Sequence, residues 1–261
     1  MAERQFVKTT VEDRVAILTI DRPPVNALSA ATMAELSDAV DELVANPEVK
    51  AVVITGAGQI AFVAGADINE FTQVQSAQMA VGASRRGQDV FSKIENAPKP
   101  FVAAINGVCL GGGMELALAC HMRIIGDRAK MGQPEINLGI IPGWGGTQRL
   151  PRLVGKAKAI ELILTGDQIT AQEAYRLNLV NKVVPGGEVL KTARDLGKKM
   201  AQKSLVTIRA ALDAITCGGA KPMAEGQQCE ASQFGILFET EDMREGVAAF
   251  LQKRQPAFKD K

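Results

Sequence analysis

An α/β fold with a largely parallel central sheet is what the sequence predicts for most of this 261-residue chain. Three short, predominantly apolar runs occur at residues 14–20, 51–55 and 101–105. Turns and helix-like patterns follow these runs, and strands that alternate with helices are typical of a parallel sheet. From about residue 196 onward only helical patterns remain, which indicates a helical appendage to the α/β core.

A turn separates the first predicted strand from the first predicted helix. The strand covers residues 14–20, and the two prolines of Asp21-Arg22-Pro23-Pro24 end it. Ser29 is a typical N-cap residue. After it, apolar residues recur at steps of three and four positions, at Met33, Leu36, Val40 and Leu43. This spacing predicts an amphipathic helix from Ser29 to about Ala45.

The second and third predicted strands carry almost no polar residue. Residues 51–55 and 101–105 therefore fit strands that are buried on both faces. Between them we expect a loop from Gly56 to Ala66 and then helical segments to about Asn96. The third strand leads into Gly111-Gly112-Gly113 and a helix that begins near Met114.

Helical patterns dominate the chain after Pro151. A short apolar stretch at residues 179–184 interrupts them, and glycine pairs at 186–187 and 218–219 are typical of joints between elements. We therefore divide the chain into a core of residues 1–195 and a helical C-terminal region of residues 196–261.

The balance of charges argues against a polyanionic partner. Thirty Lys and Arg residues stand against 29 Asp and Glu residues, which gives a formal net charge of +1. The sequence also lacks the basic stripe that is the electrostatic signature of nucleic-acid binding. We therefore expect no nucleic-acid partner.

Membrane insertion and secretion are not indicated either. The first eight residues carry charges where a secretory signal needs an apolar run. The uncharged stretch Phe101 to Met114 is interrupted by glycines and is shorter than the ~18 residues of a spanning helix. We expect a cytoplasmic protein that does not contact a membrane.

The cysteines and the single histidine restrict the possible chemistry. Cys109, Cys120, Cys217 and Cys229 form no Cys-x-x-Cys pair, so the ligand spacing of a zinc site is missing. A Ser-His-Asp or Cys-His device would have to use His121, which lies at the start of an apolar run that predicts a strand. We interpret His121 as structural and expect no metal site.

Two glycine-containing loops could bring backbone N–H groups to a ligand. Gly111-Gly112-Gly113 precedes a predicted helix, where free N–H groups suit an oxyanion. The alternative is that these glycines allow close packing between helix and strand. The loop from Phe62 to Ile68 is a second candidate, with Asp67 as a possible N-cap.

The segment Gly56 to Ala61 formally matches the dinucleotide-binding pattern in its G-x-G-x-x-A form. That pattern requires a helix directly after it and an acidic residue at the end of the next strand. The sequence predicts neither, so we do not assign a nucleotide to this segment.

Glu135 stands alone among apolar and glycine residues in the segment from Met131 to Leu150. Partial desolvation there would raise its pKa and keep it protonated near neutral pH, while a second carboxylate in a more polar setting stays ionised. Glu115 is the natural partner in such an acid–base pair. The alternative for Glu135 is a cap or an ion pair, as for many lone glutamates at turns.

Several motifs resemble the enoyl-CoA hydratase (crotonase) superfamily. They are Pro-x-x-Asn-Ala-Leu (Pro23 to Leu28), Ala103 to Gly107, Gly111 to Leu116, Gly132 to Glu135, Gly143 to Leu150 and Phe250-Leu251-x-Lys253-Arg254. The resemblance extends over essentially the whole chain. It implies a spiral of ββα turns and a helical C-terminal region that forms homotrimers, usually paired into hexamers.

The resemblance also implies a reaction and the residues that carry it out. In hydratases of this family two glutamates hold one water, and their positions fall on Glu115 and Glu135. The backbone N–H groups of Ala66 and Gly112 would polarise a thioester carbonyl, and Gln133 is placed to orient Glu135. Glu115 would activate the water for attack on C3 and Glu135 would protonate C2 of a short-chain 2-trans-enoyl-CoA. Coenzyme A is then part of the substrate, and no metal or redox cofactor is implied.

Substrate contacts are carried over in the same way. Ala64, Ala66, Asp67 and Ile68, with Gly112, would line the CoA path, while Phe234 and Lys253, from a neighbouring subunit, would touch the nucleotide. Ile60 and Asn69 stand where the family often has a lysine that holds CoA phosphates. Trp144 replaces a usually small residue, and it either shortens the acyl pocket or packs at a subunit contact.

Two rival functions share the same fold. An enoyl-CoA isomerase needs only one acid–base carboxylate, and a binding protein needs none. The presence of both Glu115 and Glu135 and of both glycine-containing loops favours the hydratase.

Overall fold

The structure is a computed structural model that describes residues 4–219 and 221–261. Within these ranges the strands are β1 (Val7–Glu12), β2 (Val15–Ile20), β3 (Ala51–Gly56), β4 (Ala61–Val63), β5 (Phe101–Ile105), β6 (Val108–Leu110), β7 (Met122–Gly126), β8 (Lys130–Gly132), β9 (Gln168–Thr170) and β10 (Lys182–Val184). The helices are α1 (Ala30–Ala45), α2 (Ile68–Phe71), α3 (Ala77–Glu95), α4 (Gly112–Ala119), α5 (Gly146–Val154), α6 (Lys156–Thr165), α7 (Ala171–Arg176), α8 (Val189–Ala201), α9 (Leu205–Gly218), α10 (Met223–Leu237) and α11 (Glu241–Leu251). Short 3-10 helices occur at Pro134–Leu138 and Gly186–Glu188.

The strands form two sheets, and successive strands from β3 to β8 alternate between them. The six-stranded sheet has the order β1-β2-β3-β5-β7-β10, and the four-stranded sheet has the order β4-β6-β8-β9. Each of the successive pairs β3-β4, β5-β6 and β7-β8 places one strand in each sheet and is followed by helical structure. Only the first pairing of one sheet and the last pairing of the other are antiparallel. The predicted spiral of ββα turns and the largely parallel core are therefore confirmed.

The longer predicted elements agree closely with the structure. Strands β2, β3 and β5 cover the three apolar runs, and every residue of β3 and β5 is buried. Helix α1 begins where the capping argument places it, because the Ser29 side chain accepts the N–H of Thr32 at 3.2 Å. Helix α4 begins at Gly112, two residues before the predicted start. Strand β1 was not predicted, and neither were the three-residue strands β4, β6, β8 and β9.

Helix α8 crosses the predicted border between residues 195 and 196. Its buried residues Val189 and Ala193 pack in one cluster with Val53 and Val102 of the six-stranded sheet. The first half of the helix thus covers one face of that sheet, and its second half leads toward the C-terminal helices. The division of the chain at this residue stays a prediction.

The C-terminal region is a set of three helices with many exposed apolar side chains. Helices α9 and α10 pack against each other and are joined by a disulfide between Cys217 and Cys229, with an Sγ–Sγ distance of 2.06 Å. Cys109 and Cys120 are free and buried in the core. Across residues 4–219 and 221–261, none of the helices combines the length and the hydropathy that crossing a bilayer requires.

The end of the chain returns to the core through Asp260. Its Oδ1 accepts the N–H of Leu205, at the start of α9, at 2.8 Å, and lies 2.6 Å from Nζ of Lys50. The Lys50 side chain is only 2% exposed, and its ammonium also donates to the carbonyl oxygen of Lys203 at 2.9 Å. Arg14 approaches the other carboxylate oxygen at 3.2 Å. This carboxylate therefore ties the helical region to the edge of the core.

Asp260→Asn should lower the free energy of unfolding by about 2 kcal/mol, because a buried ammonium loses its ionic partner. Asparagine is the suitable substitution since residue 260 has a φ of 64°, which asparagine tolerates. Denaturant titration followed by circular dichroism measures the change. Glu12→Gln, which weakens the exposed ion pair with Arg194, serves as the control and should cost about 0.5 kcal/mol or less. Equal losses in the two variants would contradict the role given to Asp260.

Candidate active site

A cavity of about 620 Å³ opens beside the N-terminus of helix α4. It lies between helices α2, α3 and α4, with the segment from Pro134 to Trp144 along its remaining side. Both predicted glutamates, Glu115 and Glu135, line it, and so do four of the predicted substrate contacts, Ala64, Ala66, Ile68 and Gly112. The fold thus brings together predicted residues that are up to 71 positions apart in the sequence, from Ala64 to Glu135.

Gly111 and Gly113 each have a separate structural reason to lack a side chain. Gly111 has a φ of 52°, and a β carbon there would lie 3.1 Å from a carboxylate oxygen of Glu135. A β carbon on Gly113 would lie 2.0 Å from the carbonyl oxygen of Val63, so the absence of a side chain lets α4 sit directly on strand β4. The packing interpretation of the triplet is therefore confirmed at Gly113, and the donor role of Gly112 stays a prediction.

The N–H groups of Ala66 and Gly112 form a pair of free donors at the cavity. Gly112 is the first residue of α4 and has no acceptor within the helix. Within the described residues, neither N–H donates to a protein acceptor. A β carbon on Gly112 would lie 3.5 Å from the nitrogen of Ala66, which shows how close the two residues are. The bridge between Leu28 and Ala66 holds the second donor in place.

Glu115 is the more buried of the two carboxylates, with 2% of the residue exposed. Its Oε1 accepts two backbone N–H groups, from Trp144 at 2.8 Å and from Gly146 at 2.7 Å. Burial raises the pKa of Glu115, while these two hydrogen bonds and the charge of Arg149 oppose the rise. The expectation that Glu115 lies in the more polar setting is therefore wrong, because Glu115 is more buried than Glu135 and its two backbone donors offset the burial only in part.

Glu135 lies in the 3-10 helix that follows strand β8 and is half-buried. Burial raises the pKa of Glu135 to about 7, and the nearby charge of Glu115 adds to this rise. Gln133 is completely buried beneath it. With its amide oriented to suit the surrounding donors and acceptors, Nε2 of Gln133 donates to both Glu135 oxygens, at 2.9 and 3.0 Å. The amide thereby fixes the direction of the carboxyl group.

The loop from Gly143 to Gly146 supplies the two backbone N–H donors to Glu115, which were not predicted from the sequence. Backbone N–H groups have no residue signature, and the glycine-rich pattern of this loop is the only signal that pointed to it. The Gly143 carbonyl oxygen accepts Oγ of Ser84 at 2.5 Å and Nε2 of Gln88 at 2.9 Å. Arg149 donates to the carbonyl oxygen of Trp144 at 3.0 Å. These bonds hold the loop against α3 and so position the two donors to Glu115.

Three predicted substrate contacts do not line the cavity of their own chain. Asp67 caps helix α2 and lies 2.5 Å from a guanidinium nitrogen of Arg22. Phe234 is 63% exposed on α10, and Lys253 is exposed just after α11. Their roles in substrate binding stay predictions, which for Phe234 and Lys253 involve a neighbouring subunit.

His121 has the structural environment that the sequence predicted. Its Nδ1 accepts the N–H of Phe101 at 3.0 Å, and burial lowers its pKa, which favours the neutral ring. Among residues 4–219 and 221–261, no three His, Cys, Asp or Glu side chains are grouped as metal ligands.

Comparison with known proteins assigns this arrangement to a family. The enoyl-CoA hydratase/isomerase family model matches residues 10–261. A probable enoyl-CoA hydratase of Bacillus subtilis (strain 168) is 45% identical over 254 residues, which cover 97% of this chain and 98% of the relative. A crotonyl-CoA hydratase of Syntrophomonas wolfei is 45% identical over 248 residues, which cover 95% of each chain. The crystal structure of an enoyl-CoA hydratase from Bacillus anthracis superimposes with a TM-score of 0.94 at 37% identity, covering 98% of this chain and 100% of the other. The chain therefore belongs to the enoyl-CoA hydratase/isomerase family.

Proposed function

We propose that the chain adds water reversibly across the 2,3 double bond of a short-chain 2-trans-enoyl-CoA, giving a 3-hydroxyacyl-CoA. The observation that carries this proposal is the pair of glutamates with unlike environments beside two free backbone N–H groups. A hydratase needs one ionised and one protonated carboxyl group together with donors for the thioester oxygen. The two glutamates and the two free N–H groups that line the cavity support this assignment.

The N–H groups of Ala66 and Gly112 would bind the thioester carbonyl oxygen. As water attacks C3, electrons move through C2 onto that oxygen, and the substrate becomes enolate-like. Fixed donors stabilise this developing charge, and the loss of one such donor typically costs about 3 to 4 kcal/mol of barrier. The start of helix α4 adds its positive end to the same point.

The two glutamates would move the two protons. Ionised Glu115 takes a proton from water, and the oxygen of that water forms a bond to C3. Protonated Glu135 gives its proton to C2, and the double bond becomes a single bond. The product then carries the hydroxyl group on C3 and the proton from Glu135 on C2, and a later proton exchange returns Glu115 to its ionised form and Glu135 to its protonated form. The reaction is redox-neutral, so the proposed mechanism calls for no electron carrier.

An isomerase is the nearest alternative within the family. It moves one proton along the acyl chain and needs one acid–base carboxylate. Here Glu115 and Glu135 both face the cavity, and each is held by its own donors. A second, firmly positioned carboxylate favours hydration. The name of the Syntrophomonas wolfei relative, crotonyl-CoA hydratase, supports a short acyl chain as the substrate.

The exposed apolar side chains of the C-terminal helices support assembly into homotrimers, and of two trimers into a hexamer. Phe234, Phe238, Phe250 and Leu251 are between 53% and 83% exposed. Large apolar surfaces of this kind are usually covered by a protein partner. A second copy of the chain is the proposed partner, in line with the resemblance to the family.

Glu115→Gln and Glu135→Gln should each lower kcat for crotonyl-CoA hydration by about 10²- to 10⁴-fold, because each removes one proton-transfer group. The loss of enoyl-thioester absorbance in the ultraviolet measures the rate. Both variants should still bind butyryl-CoA in a calorimetric titration, which shows that the cavity is intact. Glu161→Gln, an exposed glutamate on α6, is the control and should keep the native rate. Near-native turnover by either cavity variant would contradict the two-glutamate mechanism.

The pH dependence should follow the raised pKa of Glu135. Hydration requires this group to be protonated, so kcat/KM should fall as the pH rises through about 7. The acid limb belongs to Glu115, which must be ionised, and burial places this limb above the ordinary range of a glutamate. Dehydration begins with the proton on the other glutamate, and the pair again holds one proton, so both directions should show the same two limbs. A profile that stays level from pH 6 to 9 would rule out Glu135 as the acid.

Replacing Phe250 and Leu251 with serine should weaken the proposed assembly, because together they are among the most exposed apolar side chains of α11. Light scattering coupled to gel filtration should give three or six copies for the native chain and fewer for the double variant. Val11→Ser, which changes an exposed valine of β1, is the control and should leave the mass unchanged. A native chain that elutes as a monomer would refute the trimer.

A further inference from the structure

The side chain of Trp144 fills a slot between helices α3 and α4. A β carbon on Gly87 of α3 would lie 2.2 Å from Cδ1 of the indole, and one on Gly112 of α4 would lie 2.6 Å from Cζ3. The ring also meets Phe91 edge to face, with centroids 5.7 Å apart and planes at 87°. Two glycines and one aromatic ring of the same chain therefore shape the space that the indole occupies.

This slot lies next to the proposed reaction centre. Trp144 lines the cavity together with Gly112 and Glu115, and its own N–H holds the carboxylate of Glu115. In the proposed function the thioester oxygen lies at the N–H of Gly112 and C3 lies beside Glu115. The acyl carbons beyond C3 would then extend toward Trp144, which neighbours both residues. The indole is the largest side chain in that position, and Ala80, Ala83 and Ser84 of α3 line the cavity beside it.

We infer that Trp144 sets the upper limit on the length of the acyl chain that this cavity accepts, an inference that rests on the proposed function. The indole occupies volume between α3 and α4 into which the tail of a longer acyl chain would otherwise extend. Its contacts with Gly87, Phe91 and Gly112 lie within the chain, which favours the pocket interpretation of this residue over a subunit contact.

The limit is steric and firm. On the α3 and α4 sides the ring faces glycine backbone, which has no side chain that could turn away, and Phe91 behind it is completely buried. Close-packed surroundings of this kind resist displacement. A longer substrate therefore cannot make room by pushing the indole toward either helix.

The test compares kcat/KM for crotonyl-CoA, 2-octenoyl-CoA and 2-decenoyl-CoA in the native enzyme and in Trp144→Ala. The native value should fall with chain length. In the variant the ratio of 2-octenoyl-CoA to crotonyl-CoA should rise by about 10-fold or more, since one or two methylene groups in an apolar pocket discriminate by that factor. Trp144→Phe should raise the same ratio by a smaller factor. If the alanine variant does not fold, the phenylalanine variant alone tests the role of Trp144. Tyr175→Ala, an exposed aromatic residue on α7, should leave the ratio at the native value.

Calorimetric titration with butyryl-CoA and octanoyl-CoA separates this inference from the hydratase proposal. The native chain should bind butyryl-CoA more tightly, and Trp144→Ala should reverse or remove that preference even if no enoyl-CoA is turned over. A native chain that hydrates none of the three substrates would overturn the proposed function alone. Ratios and affinities within about twofold of the native values in both tryptophan variants would overturn the role of Trp144, as would a native enzyme that accepts all three lengths equally.

Discussion

The close approach of helix α4 to strand β4 at Gly113 is the contact on which the rest of the cavity depends. No side chain separates the helix from the Val63 carbonyl oxygen, so the first turn of α4 lies beside the loop that carries Ala66. The N–H of Gly112 and the carboxylate of Glu115 are three residues apart, about one helical turn. A single packing contact thus sets the positions of an anion-binding donor and of one carboxylate together. A larger residue at position 113 would move both.

The two carboxylates differ in how the protein compensates their burial. Glu115 is almost completely buried, yet two backbone donors favour its ionised form. Glu135 is less buried, but burial still raises its pKa to about 7. The charge of Glu115 adds to this rise and therefore contributes to the raised pKa of Glu135.

The sequence predicts those parts of the fold and cavity that have a strong local pattern. Strands β3 and β5 are continuous apolar runs, and Ser29 caps α1 as its residue type suggests. Strands β4, β6, β8 and β9 are three residues long, too short for any periodicity, so the second sheet could not be inferred from residue patterns. Glu135 was predicted from its apolar surroundings in the sequence and Glu115 as its partner, and the resemblance to the family implied the roles of both. The donors of Trp144 and Gly146 are backbone atoms, and only the folded loop shows where they point. The place of Trp144 depends on Gly87, which is 57 positions away, and no local pattern connects the two.

Both backbone donors to Glu115 bind the same oxygen, Oε1. Within the described residues Oε2 has no protein partner, so it is the oxygen left to hold the water. The carboxylate cannot rotate without breaking two buried hydrogen bonds, and in the proposed mechanism Ala66 and Gly112 would orient the thioester. In the proposed mechanism the water would therefore attack the planar double bond from one side only. We expect the new hydroxyl group at C3 to be formed with a single handedness, so that chirality in the product originates in the choice between two oxygens of one side chain.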